Sequence, residues 1–191
     1  MEIKETRFQF IPKRGELLVS EPFLADPNFR RSVVLLCEHE EQGSVGFILN
    51  RLLNLTTEEV IPGLLNIPFP VFYGGPVEQN TLHFIHTAGE LIEDSLPITE
   101  GIYWGGDIES INALLLAGKV KPGDFKFFIG YSGWGEGQLN AEIALKAWWA
   151  TPSNPAIVFT DDLEEMWRSV VKNLGQDFAY LANSPIDYNW N

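Results

Sequence analysis

The segment from Gly130 to Gln138 combines a serine, two aromatic residues and four glycines between a strand-like and a helix-like apolar stretch. Glycines at this density mark unusual backbone angles or close chain approach. A serine nucleophile of the elbow type needs Gly-x-Ser-x-Gly, but position 134 is tryptophan. All three histidines precede Ser132, whereas an elbow-type hydrolase places its base after the nucleophile. The segment therefore favours a tight turn over serine catalysis.

The histidines raise the question of metal binding. His83 and His86 are three residues apart in a strand-like segment, so their rings are expected on opposite faces of a sheet. With one cysteine in the chain, a metal site would need distant ligands gathered around Glu38 and His39. We predict half-buried histidines with one hydrogen-bonded nitrogen each, no metal and no cofactor.

Gly105 and Gly106 precede a helix pattern that starts at Asp107, a setting in which a helix N-terminus can hold phosphate. A carboxylate at the cap already occupies the backbone donors and repels a second anion. Neither a Walker sequence nor a dinucleotide fingerprint is present. A structural role is therefore favoured for this turn.

Cys37 follows a run of aliphatic residues and is flanked by the carboxylates of Glu38 and Glu40. Both conditions raise the pKa of a thiol, which predicts an inert, buried side chain. A redox-sensing role is the alternative, because His39 would share a strand face with Cys37 and stabilise its thiolate. An enzyme that uses Cys37, Glu38 and His39 is the related catalytic alternative.

A recessed binding surface is the strongest functional candidate, because the segments 50–51, 74–76 and 130–138 each end a strand pattern. Small residues at strand ends let backbone donors and a few side chains converge on a ligand. Arg51 supplies a fork for carboxylate or phosphate, and Gln138 and Glu142 are four residues apart on one helix face. The predicted surface comprises Asn50, Arg51, Gly74, Gly75, Pro76, Tyr131, Gly133, Trp134, Gln138 and Glu142. The competing interpretation is structural: Asn50 and Arg51 pair with Glu142, and the glycines let strands cross.

Apolar periodicity indicates the elements that would position these residues. Short apolar runs predict strands at 17–19, 33–37, 45–49, 71–73, 82–86, 102–104, 125–129 and 156–159. Helices are predicted as a short one after Thr56, and at 107–118, 137–149 and 163–174. The last has an apolar face of Leu163, Met166, Trp167, Val170, Val171 and Leu174. Many strands followed by helices predict an α+β fold.

Composition limits the partners. The chain has 13 basic and 26 acidic side chains, a net charge of -13, so direct nucleic-acid binding is not expected. It has no apolar run long enough to span a membrane, no signal-peptide pattern in residues 1–6 and one cysteine, which together predict a cytoplasmic protein. We expect a single domain over residues 1–191, with an ordered core from about 15 to 182 and flexible ends.

Several sequence blocks occur in the order typical of one bacterial family. They are residues 26–34, 38–39, 46–51, 74–77 and 130–142. On these blocks the chain resembles the YqgE/AlgH family from about Gly15 to about Gly175. It departs from the usual pattern at Asn140, Gly133 and Leu52, where the family commonly has Glu, Ala or Ser, and Pro.

The resemblance implies a branched, mostly antiparallel sheet curled into a pseudo-barrel with flanking helices. It implies no particular reaction, although some family members are labelled transcriptional regulators. We therefore predict a non-catalytic binding or regulatory protein for an unidentified small molecule or protein partner. Direct action on DNA and an enzyme built around Cys37, Glu38 and His39 are the alternatives.

Overall fold

A computed structural model describes residues 11–184 of the chain. The expected flexible ends lie largely outside the described residues. Residues 1–6, on which the signal-peptide argument rested, lie entirely outside them.

Ten strands within residues 11–184 form one branched sheet. They are β1 (Glu16–Ser20), β2 (Val33–Glu40), β3 (Gly43–Ile48), β4 (Leu52–Thr56), β5 (Pro70–Tyr73), β6 (Val77–His86), β7 (Leu96–Thr99), β8 (Ile102–Trp104), β9 (Phe125–Gly135) and β10 (Trp148–Pro152). The main path runs β10-β1-β2-β3-β9-β6-β8-β7, and β5 and β4 branch from β9. Every pairing is antiparallel except that of β5 with β9.

Six α-helices lie in the described range. They are α1 (Thr57–Val60), α2 (Ser110–Leu116), α3 (Gln138–Ala144), α4 (Pro155–Val158), α5 (Leu163–Asn173) and α6 (Gln176–Ala179). The sheet curls into a half-barrel with helices packed against it. The predicted α+β class with a mostly antiparallel, branched sheet is confirmed.

Helix α5 forms where apolar periodicity predicts it. Its inner face buries Met166, Trp167, Val170 and Val171 against strands β1 and β2. The Trp167 indole donates to the Ser20 carbonyl at 3.0 Å, so burial leaves no unpaired N–H there. The helix begins at Leu163, as predicted, because Asp162 accepts from the Glu165 N–H and acts as its cap.

Two predicted elements are wrong. Residues 156–159 were expected as a strand, but Asn154 caps a helical turn and Pro155 occupies its first position, where proline is tolerated. Helix α3 ends at Ala144 instead of near Trp149, because the chain turns back through Lys146, which has a φ of 62°. The following residues form β10 and pair with β1, a long-range partner.

Helix α2 begins later than predicted. The Asp107 carboxylate accepts from the Glu109 N–H at 3.1 Å, so it caps the turn that precedes the helix. The helix itself starts at Ser110 and is followed by Gly118, as the sequence indicates.

The connection between β5 and β6 crosses directly over β9. A Cβ atom at Gly74 would lie 2.2 Å from the Gly130 carbonyl oxygen, and one at Gly75 would lie 2.3 Å from the Tyr131 backbone. The chain can therefore pass from one edge of β9 to the other only without side chains at these positions. After the crossing, β3 replaces β5 along the edge of β9 and pairs with its last four residues.

We expect Gly74→Ala to lower the free energy of unfolding by more than about 2 kcal/mol, because the added methyl group meets rigid backbone. Gly123→Ala is the matched control, since a Cβ atom there meets nothing within 4 Å. We expect the control to stay within about 0.5 kcal/mol of the original chain. Urea unfolding checks both, and equal midpoints for the two variants would contradict the crossing geometry.

Candidate functional site

Arg51 is directed at the loop between β1 and β2. Its Nη1 donates to the carbonyls of Asn28 at 2.6 Å and Pro27 at 3.3 Å, and its Nη2 donates to that of Arg30 at 3.3 Å. Its guanidinium carbon lies 5.8 Å from the ring centroid of Tyr73, and burial lowers the pKa of Arg51. The fork that the sequence offered to a carboxylate or phosphate ligand thus holds backbone carbonyls.

Asn50 also serves this loop. Its Oδ1 accepts from the Val33 N–H at 3.0 Å, and its Nδ2 donates to the Arg31 carbonyl at 2.9 Å. On the other side, Asp26 Oδ1 accepts from the Asn28 N–H at 2.8 Å and caps the turn. Asn50 and Arg51 therefore fix the start of β2. The structural interpretation, in which they pair with Glu142, is wrong on this point.

Glu142 accepts hydrogen bonds from the side chains of a buried aromatic cluster. One of its carboxylate oxygens, Oε2, accepts from the indole N–H groups of Trp134 at 3.0 Å and Trp148 at 2.8 Å. The other accepts from Gln138 Nε2 at 2.9 Å. The Phe29 ring packs against both indoles, with centroids 6.1 and 5.4 Å away. Glu142 satisfies two nearly buried donors, which is a structural role.

The predicted surface is divided between two faces of the sheet. The Tyr73 ring lies beside Arg51 and belongs to the same apolar cluster as Trp134. Arg51 and Gln138 therefore lie on one face of the sheet, with the β1–β2 loop between them. Tyr131 points to the opposite face and contacts His83 edge to face at 6.0 Å. The rest of the predicted surface lies in the backbone crossing or beside Tyr131, namely Gly74, Gly75, Pro76 and Gly133.

Ser132 is fully buried, and its hydroxyl donates to the Gly74 carbonyl at 2.9 Å. His86 Nδ1 accepts from the Ala88 N–H at 3.2 Å, so Nε2 carries the proton and faces the Gly105 carbonyl and Ser95 Oγ, both at 3.0 Å. Burial lowers the pKa of His86 and favours this neutral form. Each of these polar groups is already committed to the fold.

His83 and His86 lie on opposite faces of β6, as their spacing predicts. His83 packs against Phe47, and His86 against Phe84. Within residues 11–184, no group of three or more His, Cys, Asp or Glu side chains is arranged to hold a metal ion.

A β-bulge separates Cys37 from His39. The pairing of β2 with β3 shifts register between Leu36 and Glu38, so the alternation of side chains restarts after Cys37. Cys37 lies in the core under α5, where burial raises its pKa, whereas His39 Nδ1 lies 2.7 Å from Ser44 Oγ. Ser44 pairs with His39 on β2 and with Trp134 on β9, and residues paired across strands point to the same face of a sheet. His39 therefore lies on the face of Trp134, opposite to that of Cys37. The expectation that Cys37 and His39 share a face is wrong.

The sequence analysis missed a pocket in the described part of the chain. It has a volume of about 430 Å³ and lies between the β2–β3 hairpin and the turn from β9 into α3. Its lining consists of His39, Glu40, Glu41, Gly43, Ser44, Gly135, Glu136, Gly137, Leu139 and Asn140. Glycines and carboxylates at two strand ends were the available signal, but the pairing of β3 with β9 that joins them is long-range.

Lys126 is a second feature without a sequence signal. Its side chain is 5% exposed, with Nζ 3.3 Å from the Leu49 carbonyl and 4.6 Å from the centre of the Phe72 ring. Burial lowers its pKa to about 8, against a smaller opposing effect of Asp161. The lysine retains its charge near neutral pH at a cost in stability.

Fold and site together define a class of small α+β proteins built on a branched half-barrel sheet, with a polar pocket at one end of its central strand. A family model described as AlgH-like matches residues 17–179. This chain belongs to the AlgH-like family, which confirms the resemblance found in the sequence.

Relatives match over nearly their whole length. The UPF0301 protein of Chlorobium luteolum is 43% identical over 171 residues, 90% of each chain, and that of Cytophaga hutchinsonii is 41% identical over 175 residues, 91% of this chain and 96% of its own. The solution structure of the AlgH protein of Pseudomonas aeruginosa is similar with a TM-score of 0.69 and 28% identity, covering 97% of this chain and 98% of that one.

A crystal structure from Corynebacterium diphtheriae has a TM-score of 0.77 at 22% identity, covering 92% of this chain and 94% of its own, and supports the fold alone. In the described part of the chain, no helix is long and apolar enough to cross a membrane.

Lys126 generates a pH prediction. Its pKa is about 8 in the fold and 10.5 ordinarily, so between these values the unfolded chain binds the proton more tightly. The free energy of unfolding therefore gains up to about 3 kcal/mol from this group as the pH rises from about 8 to about 10.5. We expect Lys126→Met to remove this gain and to stabilise the protein at pH 7.

Urea unfolding at pH 7 and pH 10 measures the effect. Lys119→Met, at an exposed position, removes the same charge and serves as control. A pH dependence in Lys126→Met equal to that of Lys119→Met would contradict the assignment.

Proposed function

We propose that this protein is a non-catalytic binding protein that takes a small polar ligand in the pocket between the β2–β3 hairpin and α3. The pocket itself is the observation that carries the proposal. Its volume of about 430 Å³ lies in the range of small-molecule sites, and its lining is polar around a nearly buried Leu139.

The walls of the pocket are held in place without a ligand. Gln138 Oε1 accepts from the Gly135 N–H at 3.0 Å, and the same side chain donates to Glu142. On the opposite wall, His39 is tied to Ser44 at 2.7 Å. A site held by hydrogen bonds to strand residues needs little ordering on binding, which favours affinity for a small molecule.

Three groups that could catalyse a reaction lie outside the pocket and are already engaged within the fold. Ser132 donates to a carbonyl, Cys37 is buried with a raised pKa, and both nitrogens of His86 are hydrogen-bonded. Direct action on DNA is also not supported by a chain of net charge -13. An indirect regulatory role through the bound ligand fits the charge and the fold.

One contact favours a hydrolytic alternative, the 2.7 Å approach of His39 Nδ1 to Ser44 Oγ at the pocket wall. Ser44 is 5% exposed, which opposes attack on a substrate. Release of p-nitrophenol from p-nitrophenyl acetate that is lost in Ser44→Ala would favour this alternative over binding without turnover.

The binding proposal is tested by amide chemical shifts in the presence of small cationic, anionic and neutral polar compounds. We expect at least one class to shift the amides of Gly43, Gly135 and Gly137 in a saturable manner. Asn140→Trp, which fills the pocket from α3, should abolish these shifts, whereas Ala144→Trp, exposed on the same helix outside the lining, should retain them. Shifts in no class, or shifts that persist in Asn140→Trp, would overturn the proposal.

A further inference from the structure

We infer that the ligand of this pocket is a small organic cation with a primary ammonium or guanidinium group. The inference rests on the proposed function and specifies its ligand.

The lining carries carboxylates and no basic side chain other than the imidazole of His39. Glu40, Glu41 and Glu136 all border the cavity. The one salt bridge found within residues 11–184 joins Glu165 to Arg168, so none of the three has a cationic side-chain partner in that range. An anionic ligand would enter against three carboxylates and the field of a chain of net charge -13.

The arrangement of the acidic side chains favours an organic cation over a metal ion. Calcium requires six to eight oxygen ligands at about 2.3–2.6 Å from a single point. No described group of three or more acidic or histidine side chains converges in this way. Carboxylates distributed around a cavity of about 430 Å³ instead suit a ligand whose donors are spread over several atoms.

The remaining lining residues fit the rest of such a molecule. Leu139 is the one aliphatic side chain of the lining, and at 2% exposure it offers only a narrow apolar contact to a ligand. The Asn140 amide supplies a further acceptor and donor, and the Nδ1 contact with Ser44 leaves His39 Nε2 for the ligand. A short alkyl ammonium therefore matches a mostly polar lining with one narrow apolar contact.

The test uses 1,4-diaminobutane as the probe, with 1,4-butanediol, acetate and Ca²⁺ as comparisons of different charge. Chemical shifts of the pocket amides and calorimetry give the dissociation constant at about 0.05 and 0.5 M salt. We expect saturable binding of the diamine that weakens with salt, and weaker or no binding of the diol and acetate.

Variants localise the effect. Glu136→Gln and Glu41→Gln should each raise the dissociation constant of the diamine about tenfold, because one charge-assisted hydrogen bond is lost. Glu100→Gln removes an exposed carboxylate outside the lining and should leave it unchanged. An equal effect of all three variants would indicate attraction by overall charge and would overturn the inference.

The remaining outcomes separate the two proposals. Pocket shifts with the diol or acetate but not the diamine would overturn the cation inference and leave the proposed binding function standing. Ca²⁺ that displaces the diamine and loses affinity in Glu136→Gln would replace the organic cation with a metal ion. Failure of every probe class in the pocket, including those of the wider screen, would overturn both.

Discussion

The crossing of the β5–β6 connection over β9 is the constraint on which the rest of the sheet depends. Because Gly74, Gly75 and Gly130 carry no side chains, two backbones pass at a separation that a methyl group would prevent. The crossing frees the edge of β9 beyond residue 130 for β3. The pocket exists because this exchange of neighbours brings the β2–β3 hairpin beside the turn into α3. The close backbone approach at Gly74, Gly75 and Gly130 thus leads to a pocket at the C-terminal end of β9.

Hydrogen bonding within the fold explains the polar residues that the sequence analysis assigned to a binding surface. The loop between β1 and β2 directs several part-buried or exposed carbonyls at the segment between β3 and β4, where side-chain donors can pair with them. Arg51 and Asn50 supply these donors, while Glu142 provides the acceptor that Trp134 and Trp148 need. Such side chains look like ligand-binding groups in a sequence because the chemistry of recognition and of internal satisfaction is the same.

Local patterns predicted the elements whose signals are local. The apolar face of α5, the cap at Thr56 and most buried strands follow from periodicity and turn chemistry. The prediction failed at residues 148–152 and 156–159. In the first, pairing with β1 overrides a helical pattern; in the second, a cap and a proline convert an apolar run into a helix. The pocket could not be predicted either, because it depends on the long-range pairing of β3 with β9, which no local pattern indicates.

The bulge after Leu36 shows how one residue decides between two chemistries. In a regular strand, Cys37 and His39 would share a face, and the imidazole could stabilise a thiolate. The bulge shifts the alternation, so the thiol enters the apolar core while the imidazole reaches Ser44 and the pocket. Burial then raises the pKa of Cys37 with no histidine to oppose it. The histidine gains a solvent-connected, carboxylate-rich setting, which suits recognition of a charged molecule better than redox chemistry.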